Sequence, residues 1–296
     1  MLALLHTVTM TYQARAAGIP CFASSTALSC FMAFSQILLL AAIQGITEFI
    51  PVSSSGHLNI AHLLTRLSDQ GVGMDVALHG GTLMAVMVYF RQQTGQLIRG
   101  GVDVMRLRAS ENATAAKILI IATVPVLLAA TLVVTSGIMG QLRTAEVVAW
   151  ASIIFAVPLY LADRFGASHL KIEKLTARSA LLIGLAQMLA LIPGASRAGV
   201  TIMAARWLGM EREQAARFSM LLSMPVIFCF AVLGLIELIL QGDTTALADA
   251  LIGAALAAGF AFLTIDIFIR MTRHISLLPF VLYRLALGVG LLVLIS

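Results

Sequence analysis

The chain has 296 residues, of which 60% are hydrophobic and 11% are charged, and its formal net charge is +5. Soluble domains carry about 25% charged residues, so this chain has too few charges to cover a surface in water. The composition excludes a soluble enzyme, a disordered chain and a fibre, and it predicts an integral membrane protein. Excess Lys and Arg in such proteins usually marks inner loops, so we expect no nucleic-acid partner.

The segment 1–32 differs in composition from the rest of the chain. It contains Arg15, Gly18, Pro20 and a run of Ser and Thr. It lacks the clean apolar core and small-residue cleavage site of a signal peptide. We interpret residues 1–32 as an N-terminal extension without a catalytic role, and residues 33–296 as a single membrane-embedded domain.

Six stretches are apolar and about long enough to span a bilayer, which takes roughly 20 helical residues. They are residues 76–91, 118–139, 146–162, 216–240, 248–270 and 277–295. Two further apolar segments, Phe34–Leu64 and Ser179–Leu208, are interrupted by proline, glycine and polar residues. Non-helical backbone at membrane depth is tolerated only where protein or a water-filled cavity surrounds it. We therefore interpret both as re-entrant helix–loop–helix segments.

The distribution of basic residues orients these spans. If residue 76 lies on the outer side, fourteen Lys and Arg residues fall in inner loops and three fall in outer segments. The predicted inner loops are residues 91–117, 163–178, 206–217 and 270–276. This asymmetry predicts that both termini face outward. Arg197 and Arg284 lie inside apolar segments, and Arg284 either supports the second broken segment or extends toward the membrane surface.

The two broken segments resemble each other. Residues 50–54, Ile-Pro-Val-Ser-Ser, align with residues 192–196, Ile-Pro-Gly-Ala-Ser, at an offset of 142. Each segment is followed by three spans, and three is an odd number, so the second unit must be inverted relative to the first. We predict an all-α polytopic fold with an inverted repeat, about residues 33–162 and 179–296. Such repeats place a binding site where the two broken segments meet.

The first broken segment carries polar groups that suit phosphate and metal chemistry. Gln44 and Glu48 are four residues apart and share one helix face, where their oxygens suit Mg²⁺ or Ca²⁺. Ser53, Ser54, Ser55, Gly56 and His57 follow in a tight turn that offers hydroxyls and backbone amides. His57 could act as a base, an acid or a nucleophile. The alternatives are a structural hydrogen bond for Glu48 and a satisfied core histidine at position 57.

The second broken segment carries a cation beside further hydroxyls. Arg197 has the planar fork that binds phosphate in a bidentate manner. Ser196 and Thr201 add hydroxyls, and a helix that begins near residue 200 would point its amides at an anion. Arg197 could instead pair with Glu48 as a structural ion pair. A carboxylate, serines, a histidine and an arginine in two facing loops indicate phosphoryl chemistry.

These residues resemble a known family. Gln44-x-x-x-Glu48 with residues 51–57, and residues 193–201, are similar to the two signature motifs of the BacA-type undecaprenyl-diphosphate phosphatases. The similarity extends to residues 217–225 and 279–284, and it covers about residue 33 to the end. Two positions depart from the family pattern. Gln44 stands where the family often has Glu, and Ala198 stands where it usually has a second Ser.

The resemblance implies a bacterial inner-membrane enzyme with two re-entrant segments, six spanning helices and an outward-facing site. It implies hydrolysis of a C55 isoprenoid diphosphate to the monophosphate, which recycles a lipid carrier for cell-wall polysaccharide, with Mg²⁺ or Ca²⁺ as cofactor. The implied catalytic residues are Glu48, Ser54, His57 and Arg197. The implied substrate-binding residues are Ser53, Ser55, Gly56, Ser196, Gly199 and Thr201. The implied metal ligands are Gln44 and Glu48.

Several alternatives stay open at this level. The nucleophile is Ser54, His57 or water, and we favour Ser54 or water with His57 as base. A lipid-phosphate transporter or flippase would share the inverted repeat and the broken helices. A second membrane phosphatase family fails because Met203 stands where its motif needs a histidine. The partners expected are the C55 lipid and the bilayer, with a homodimer as one candidate assembly. We assign His79 to packing.

Overall fold

The computed structural model of the protein describes residues 27–65, 71–241 and 247–295. In these ranges the regular structure is helical, and an isolated β-bridge joins Leu170 and Met210. The all-α prediction is confirmed. The predicted N-terminal extension lies outside the described residues up to position 26, and residues 27–32 belong to the first helix.

Eleven helices longer than one turn organise the described residues. They are α1 (Ala27–Thr47), α2 (Ser54–Thr65), α3 (Gly71–Tyr89), α4 (Arg91–Met105), α5 (Glu111–Thr135), α6 (Ala145–Phe165), α7 (Ala177–Gln187), α8 (Arg197–Trp207), α9 (Arg212–Gln241), α10 (Leu247–His274) and α11 (Leu278–Ile295). One helical turn (Met139–Leu142) precedes α6, and 3₁₀ turns lie at Ile172–Lys174 and Met188–Leu191.

Among the described residues, five helices are long and apolar enough to cross a membrane: α5, α6, the larger part of α9, α10 and α11. These match five of the six predicted spans. The sixth predicted span corresponds to α3, which is bent by 98° relative to α4. The length of the apolar stretches identified these spans correctly, because it is close to the thickness of the bilayer core.

Helix α4 corrects the prediction that residues 91–117 form an inner loop. Charged and polar residues interrupt its apolar positions, so it lacks the continuous apolar run by which the spans were found. The corner between α3 and α4 is stabilised by Thr94, whose hydroxyl donates to the carbonyl of Met87 at 3.2 Å. This bond satisfies a carbonyl that the end of α3 leaves free. The side chain of Phe90 is buried at the same corner.

The two broken segments have equivalent backbones. The first turn (residues 48–53) joins α1 to α2, and the second turn (residues 192–196) precedes α8. Ser53 and Ser196 have positive φ values of 75° and 70°. Each serine hydroxyl accepts a hydrogen bond from a glycine amide three residues on, Gly56 in the first turn and Gly199 in the second. The two caps are one position further apart than the alignment predicted, because two residues separate Pro193 from Ser196 whereas one residue separates Pro51 from Ser53.

The packing of the two segments is reciprocal. Helix α1 of the first repeat packs on α10, and α7 of the second repeat packs on α5, so each contacts the second spanning helix of the other repeat. Both contacts are close. A Cβ atom at Gly45 would lie 2.7 Å from the carbonyl oxygen of Ala257, and one at Gly184 would lie 2.5 Å from that of Ala122. The third spanning helices, α6 and α11, pack on each other. This reciprocal packing between the two repeats is expected for the predicted inverted repeat.

The buried guanidinium of Arg284 joins the two turns. Nη1 donates to the carbonyls of Pro51 and Ala195, at 3.4 and 2.8 Å, and Nη2 donates to that of Gly194 at 3.0 Å. The remaining bonds go to the carbonyls of Ala151 and Ser152 in α6. Arg284 therefore supports both broken segments rather than extending to the surface.

Arg206 corrects a second prediction, which placed it among the charges of an inner loop. Its side chain is only 2% exposed. Its guanidinium donates to the carbonyls of Asp163, Gly166, Ala167 and Met210 and to the hydroxyl of Ser168. Most of these groups lie at and after the end of α6, where backbone carbonyls lack helical partners. The side chain acts as a buried cap for that helix.

The role of Arg284 can be tested by its removal. Arg284→Met would leave five backbone carbonyls without this donor, and unpaired buried polar groups are costly. We expect a loss of about 3 kcal/mol or more in stability. The measurement is the midpoint of thermal unfolding in detergent. Arg270→Met is the matched control, because Arg270 is exposed and pairs with Asp266 on the surface of α10. Equal midpoints for the two variants would contradict the assignment.

Candidate active site

A cavity of about 360 Å³ opens beside the two turns. Its polar end is formed by Glu48, Ser53, Ser54 and Ser55 from the first broken segment and by Ser196 and Arg197 from the second. Its other walls are mainly apolar and come largely from α5 and α9. They include Val126, Leu127, Val134, Ile227 and Leu233. The cavity thus combines a small polar end with mainly apolar walls, which suits an amphipathic ligand.

The carboxylate of Glu48 is the centre of the polar end. Its Oε1 lies 2.9 Å from Nη2 of Arg197. Its Oε2 accepts hydrogen bonds from Nε2 of Gln44 at 3.0 Å and from the hydroxyl of Ser54 at 2.9 Å. The structural ion pair that the sequence left as an alternative for Arg197 is therefore present, and both of its members line the cavity.

Arg197 is fixed by further contacts. Nη1 donates to the carbonyl of Ser219 at 3.1 Å, and Nη2 also reaches the carbonyl of Glu48 at 3.4 Å. Its guanidinium carbon lies 5.9 Å from the centre of the Phe49 ring, within cation–π range. The side chain is 13% exposed. These contacts fix the orientation of the guanidinium at the edge of the cavity.

The predicted substrate-binding residues divide into two groups. Ser53, Ser55 and Ser196 line the cavity. The other three, Gly56, Gly199 and Thr201, do not, and their contacts are internal. The two glycines donate the cap hydrogen bonds described above. The hydroxyl of Thr201 lies 2.8 Å from the carbonyl of Arg197 and 2.7 Å from the hydroxyl of Ser219. Thr201 therefore holds the first turn of α8, and its binding role stays a prediction.

His57 is engaged outside the cavity lining. Its Nδ1 donates to the carbonyl of Ser53 at 2.7 Å, and its Nε2 lies 2.5 Å from the hydroxyl of Tyr283. The two rings are stacked, with centroids 5.5 Å apart. Both ring nitrogens are thus occupied. This arrangement favours the alternative of a satisfied structural histidine, and the catalytic role of His57 stays a prediction.

The sequence analysis missed two polar residues on the cavity wall. His79, which it assigned to packing, lines the cavity, with Nε2 at 3.9 Å from Oε2 of Glu48. Gln187 also lines it, and its buried Oε1 has no hydrogen-bond partner among the described residues. Two signals could have found them. His79 is an ionisable group within a predicted span, and such groups are usually functional. Gln187 follows Gln44 at the same spacing that separates Ser196 from Ser53.

Among the described residues that line the cavity, Glu48 is the one carboxylate available to the predicted divalent cation. No group of three His, Cys, Asp or Glu side chains that could hold a metal occurs within them. Gln44 faces Glu48 through its amide nitrogen, and its buried Oε1 is without a hydrogen-bond partner in the described part of the chain. Mg²⁺ is commonly bound by one or two carboxylates together with substrate phosphates. The residues therefore fit a cation that binds together with a phosphorylated ligand, with Glu48 as its ligand from the protein.

The family model for the bacitracin resistance protein BacA matches residues 37–290. An undecaprenyl-diphosphatase of Maricaulis maris is 42% identical over 265 residues, which are 88% of this chain and 99% of the relative. One of Dinoroseobacter shibae is 44% identical, over 88% of this chain and 98% of the relative. One of Alcanivorax borkumensis is 42% identical, over 88% of this chain and 98% of the relative. The chain is a polytopic bacterial membrane protein and belongs to the BacA family.

The single carboxylate predicts weak metal binding by the protein without substrate. Because Arg197 already neutralises Glu48, we expect no binding of Mn²⁺ at concentrations below about 1 mM, which is typical of weak sites. The binding of Mn²⁺ is measured by electron paramagnetic resonance during a titration of detergent-solubilised protein, with Glu48→Gln as control. A stoichiometric site in the micromolar range that is lost in Glu48→Gln would contradict this prediction.

Proposed function

We propose that this protein hydrolyses undecaprenyl diphosphate to undecaprenyl phosphate and inorganic phosphate, which regenerates the lipid carrier for cell-wall polysaccharide synthesis. The observation that carries the proposal is the hydroxyl of Ser54 donating to Glu48 directly beside Arg197, at the polar end of an apolar cavity. The names of the relatives support the same substrate. The diphosphate binds at the polar end, and the isoprenoid chain lies along α5 and α9.

The geometry supports Ser54 as the nucleophile. A nucleophile and its base must lie within hydrogen-bond reach, and Ser54 and Glu48 are 2.9 Å apart. The Ser54 oxygen attacks the terminal phosphorus, its proton passes to Glu48, and the anhydride P–O bond breaks to release undecaprenyl phosphate. Water then attacks the phosphoserine, and the P–Oγ bond breaks to release phosphate. The proton on Glu48 returns to Ser54, and both protons of the water leave with the phosphate.

Arg197 stabilises the charge that develops on the transferring group. Its fork can bind two phosphate oxygens, and fixed cations in a site that excludes water are the strongest contributors to this kind of catalysis. We propose that the backbone amides at the start of α8 and the hydroxyls of Ser53, Ser55 and Ser196 assist it. A divalent cation bound with the diphosphate would supply further charge neutralisation there, with Glu48 as its protein ligand.

The charge distribution supports a proposal for the placement of the site in the cell. Fourteen basic residues lie in the predicted inner segments, so we propose that the cavity opens toward the outer side of the bacterial inner membrane. Lipid transport is the rival proposal, but no observation in the described residues favours it over hydrolysis. A homodimer stays a prediction.

The assignment of Ser54 predicts a strong effect of Ser54→Ala. We expect phosphate release from undecaprenyl diphosphate by purified protein in detergent to fall about a thousandfold or more, as for other lost nucleophiles. Ser136→Ala is the matched control, because Ser136 is exposed at the end of α5. A trapped phosphoserine at position 54 in the unmodified protein is the positive evidence. Near-normal release by Ser54→Ala would exclude the serine route.

The assignment of Arg197 predicts that Lys cannot replace it. Arg197→Lys keeps one positive charge but loses the fork, so we expect phosphate release to fall about a hundredfold, as for loss of one donor to a developing oxyanion. Arg178→Lys is the control, because Arg178 is exposed at the start of α7. Full activity of Arg197→Lys in a protein with unchanged thermal unfolding would refute the assignment of Arg197 to the phosphoryl group.

A further inference from the structure

Helix α4 turns away from the direction of the spans at the predicted inner end of α3. Its axis makes an angle of 98° with that of α3, after a break at Phe90. At the spacing that separates Ser53 from Ser196, α3 and the first half of α4 correspond to α9, which is continuous from Arg212 to Gln241. The break is therefore a feature of the first repeat. Spanning helices are tilted by about 20° on average, so a helix at this angle to α3 runs close to the membrane plane.

The outer surface of α4 has an apolar stripe beside a polar stripe. Ile98, Val102 and Met105 share one helix face, and the side chains of Ile98 and Met105 are 60% and 77% exposed. Gln96 and Arg99 are also exposed, and they lie about a third of a turn around the helix. A helix with this pattern can place its apolar stripe among acyl chains and its polar stripe among headgroups.

The end of α4 presents a further apolar side chain. The amides of Leu107 and Arg108 donate to the carbonyls of Val104 and Asp103, at 3.1 and 2.8 Å, which is the pattern of a Schellman cap. Leu107 has a φ of 54°, in the left-handed region where glycine is usual. Its side chain is 94% exposed. Exposure to water does not stabilise a leucine, whereas burial among acyl chains does.

The same segment carries more positive than negative charge. Four exposed arginines lie in or directly after α4, and none of them forms an ion pair within the part of the chain that the structure describes. They are Arg91, Arg99, Arg106 and Arg108. The acidic residues here are Asp103, which accepts a hydrogen bond from the hydroxyl of Ser110 at 2.7 Å, and Glu111, at the start of α5. Unpaired arginines beside an apolar stripe suit the headgroups of anionic phospholipids.

We propose that α4 lies in the plane of the inner leaflet and that its arginines bind the headgroups of anionic phospholipids. Arg99, Arg106 and Arg108 contact lipid phosphates, whose geometry suits the guanidinium fork. Ile98 and Leu107 enter the acyl region. None of these side chains lines the cavity, so the inference does not depend on the proposed function.

The test uses a tryptophan introduced into the apolar stripe. Ile98→Trp is combined with Trp150→Phe and Trp207→Phe, which remove the two native tryptophans. The full chain is placed in nanodiscs of phosphatidylcholine or phosphatidylglycerol with brominated acyl chains, which quench a tryptophan that they contact. We expect strong quenching by both lipids. In mixtures of the two lipids, we expect at least about a fivefold preference for phosphatidylglycerol, the effect of one arginine near an anionic surface.

Two sets of substitutions in this background separate α4 from the general charge of the inner side. The test set replaces three arginines of the proposed surface: Arg99→Gln, Arg106→Gln and Arg108→Gln. The control set replaces three exposed basic residues of another predicted inner loop: Lys171→Gln, Lys174→Gln and Arg178→Gln. We expect the preference for phosphatidylglycerol to fall below about twofold in the test set, because each lost charge weakens the attraction. It should stay near fivefold in the control set.

The salt dependence gives a second measurement, in the protein that keeps all its arginines. The preference should weaken when salt rises from about 0.1 M to about 1 M, because the screening length falls from about 10 Å to about 3 Å. Four results would overturn the inference. They are no quenching by brominated chains, equal affinity for the two lipids, equal loss of preference in both sets, and a preference that salt does not change.

Discussion

Arg284 satisfies backbone carbonyls of both broken segments from one buried guanidinium. A helix interrupted within the membrane leaves carbonyl groups that water cannot reach, and each of them costs free energy unless a donor is found. The planar fork of arginine supplies five donors, more than any other side chain. One residue of the last helix therefore allows two non-helical turns to lie side by side, and the other contacts of the site depend on this placement.

The ion pair of Glu48 and Arg197 forms across the two repeats, one member from each broken segment. A buried ion pair is often a poor source of stability, because both charges must leave water. Here both side chains border a cavity, so a bound ligand can replace part of the solvation that the two charges lost. The additional donors from Gln44 and Ser54 fix the carboxylate, and the carbonyl of Ser219 fixes the guanidinium. In the proposed function, this pre-ordered pair forms the phosphate site.

The sequence predicted the spans well because apolar length is a local property. It also predicted that Glu48, Ser54 and Arg197 meet, since interrupted segments in an inverted repeat converge. It failed for α4, whose apolar residues alternate with charges, and for Arg206, whose burial depends on carbonyls far away in the chain, after the end of α6. It could not show that His57 faces Tyr283, in the last helix, or that His79 faces the cavity. Such directions depend on how each helix is rotated in the packed structure.

The spacing between the two serine caps also relates Ser54 to Arg197. Each is the residue directly after a left-handed serine, and each is the first residue of its helix. Their side chains reach the two oxygens of the same carboxylate. If the two repeats were identical in sequence, both positions would carry the same side chain. The site would then have either two hydroxyls or two guanidinium groups. Because both repeats lie in one chain, the two equivalent positions can carry different chemistry, a hydroxyl on one oxygen of the carboxylate and a cation on the other.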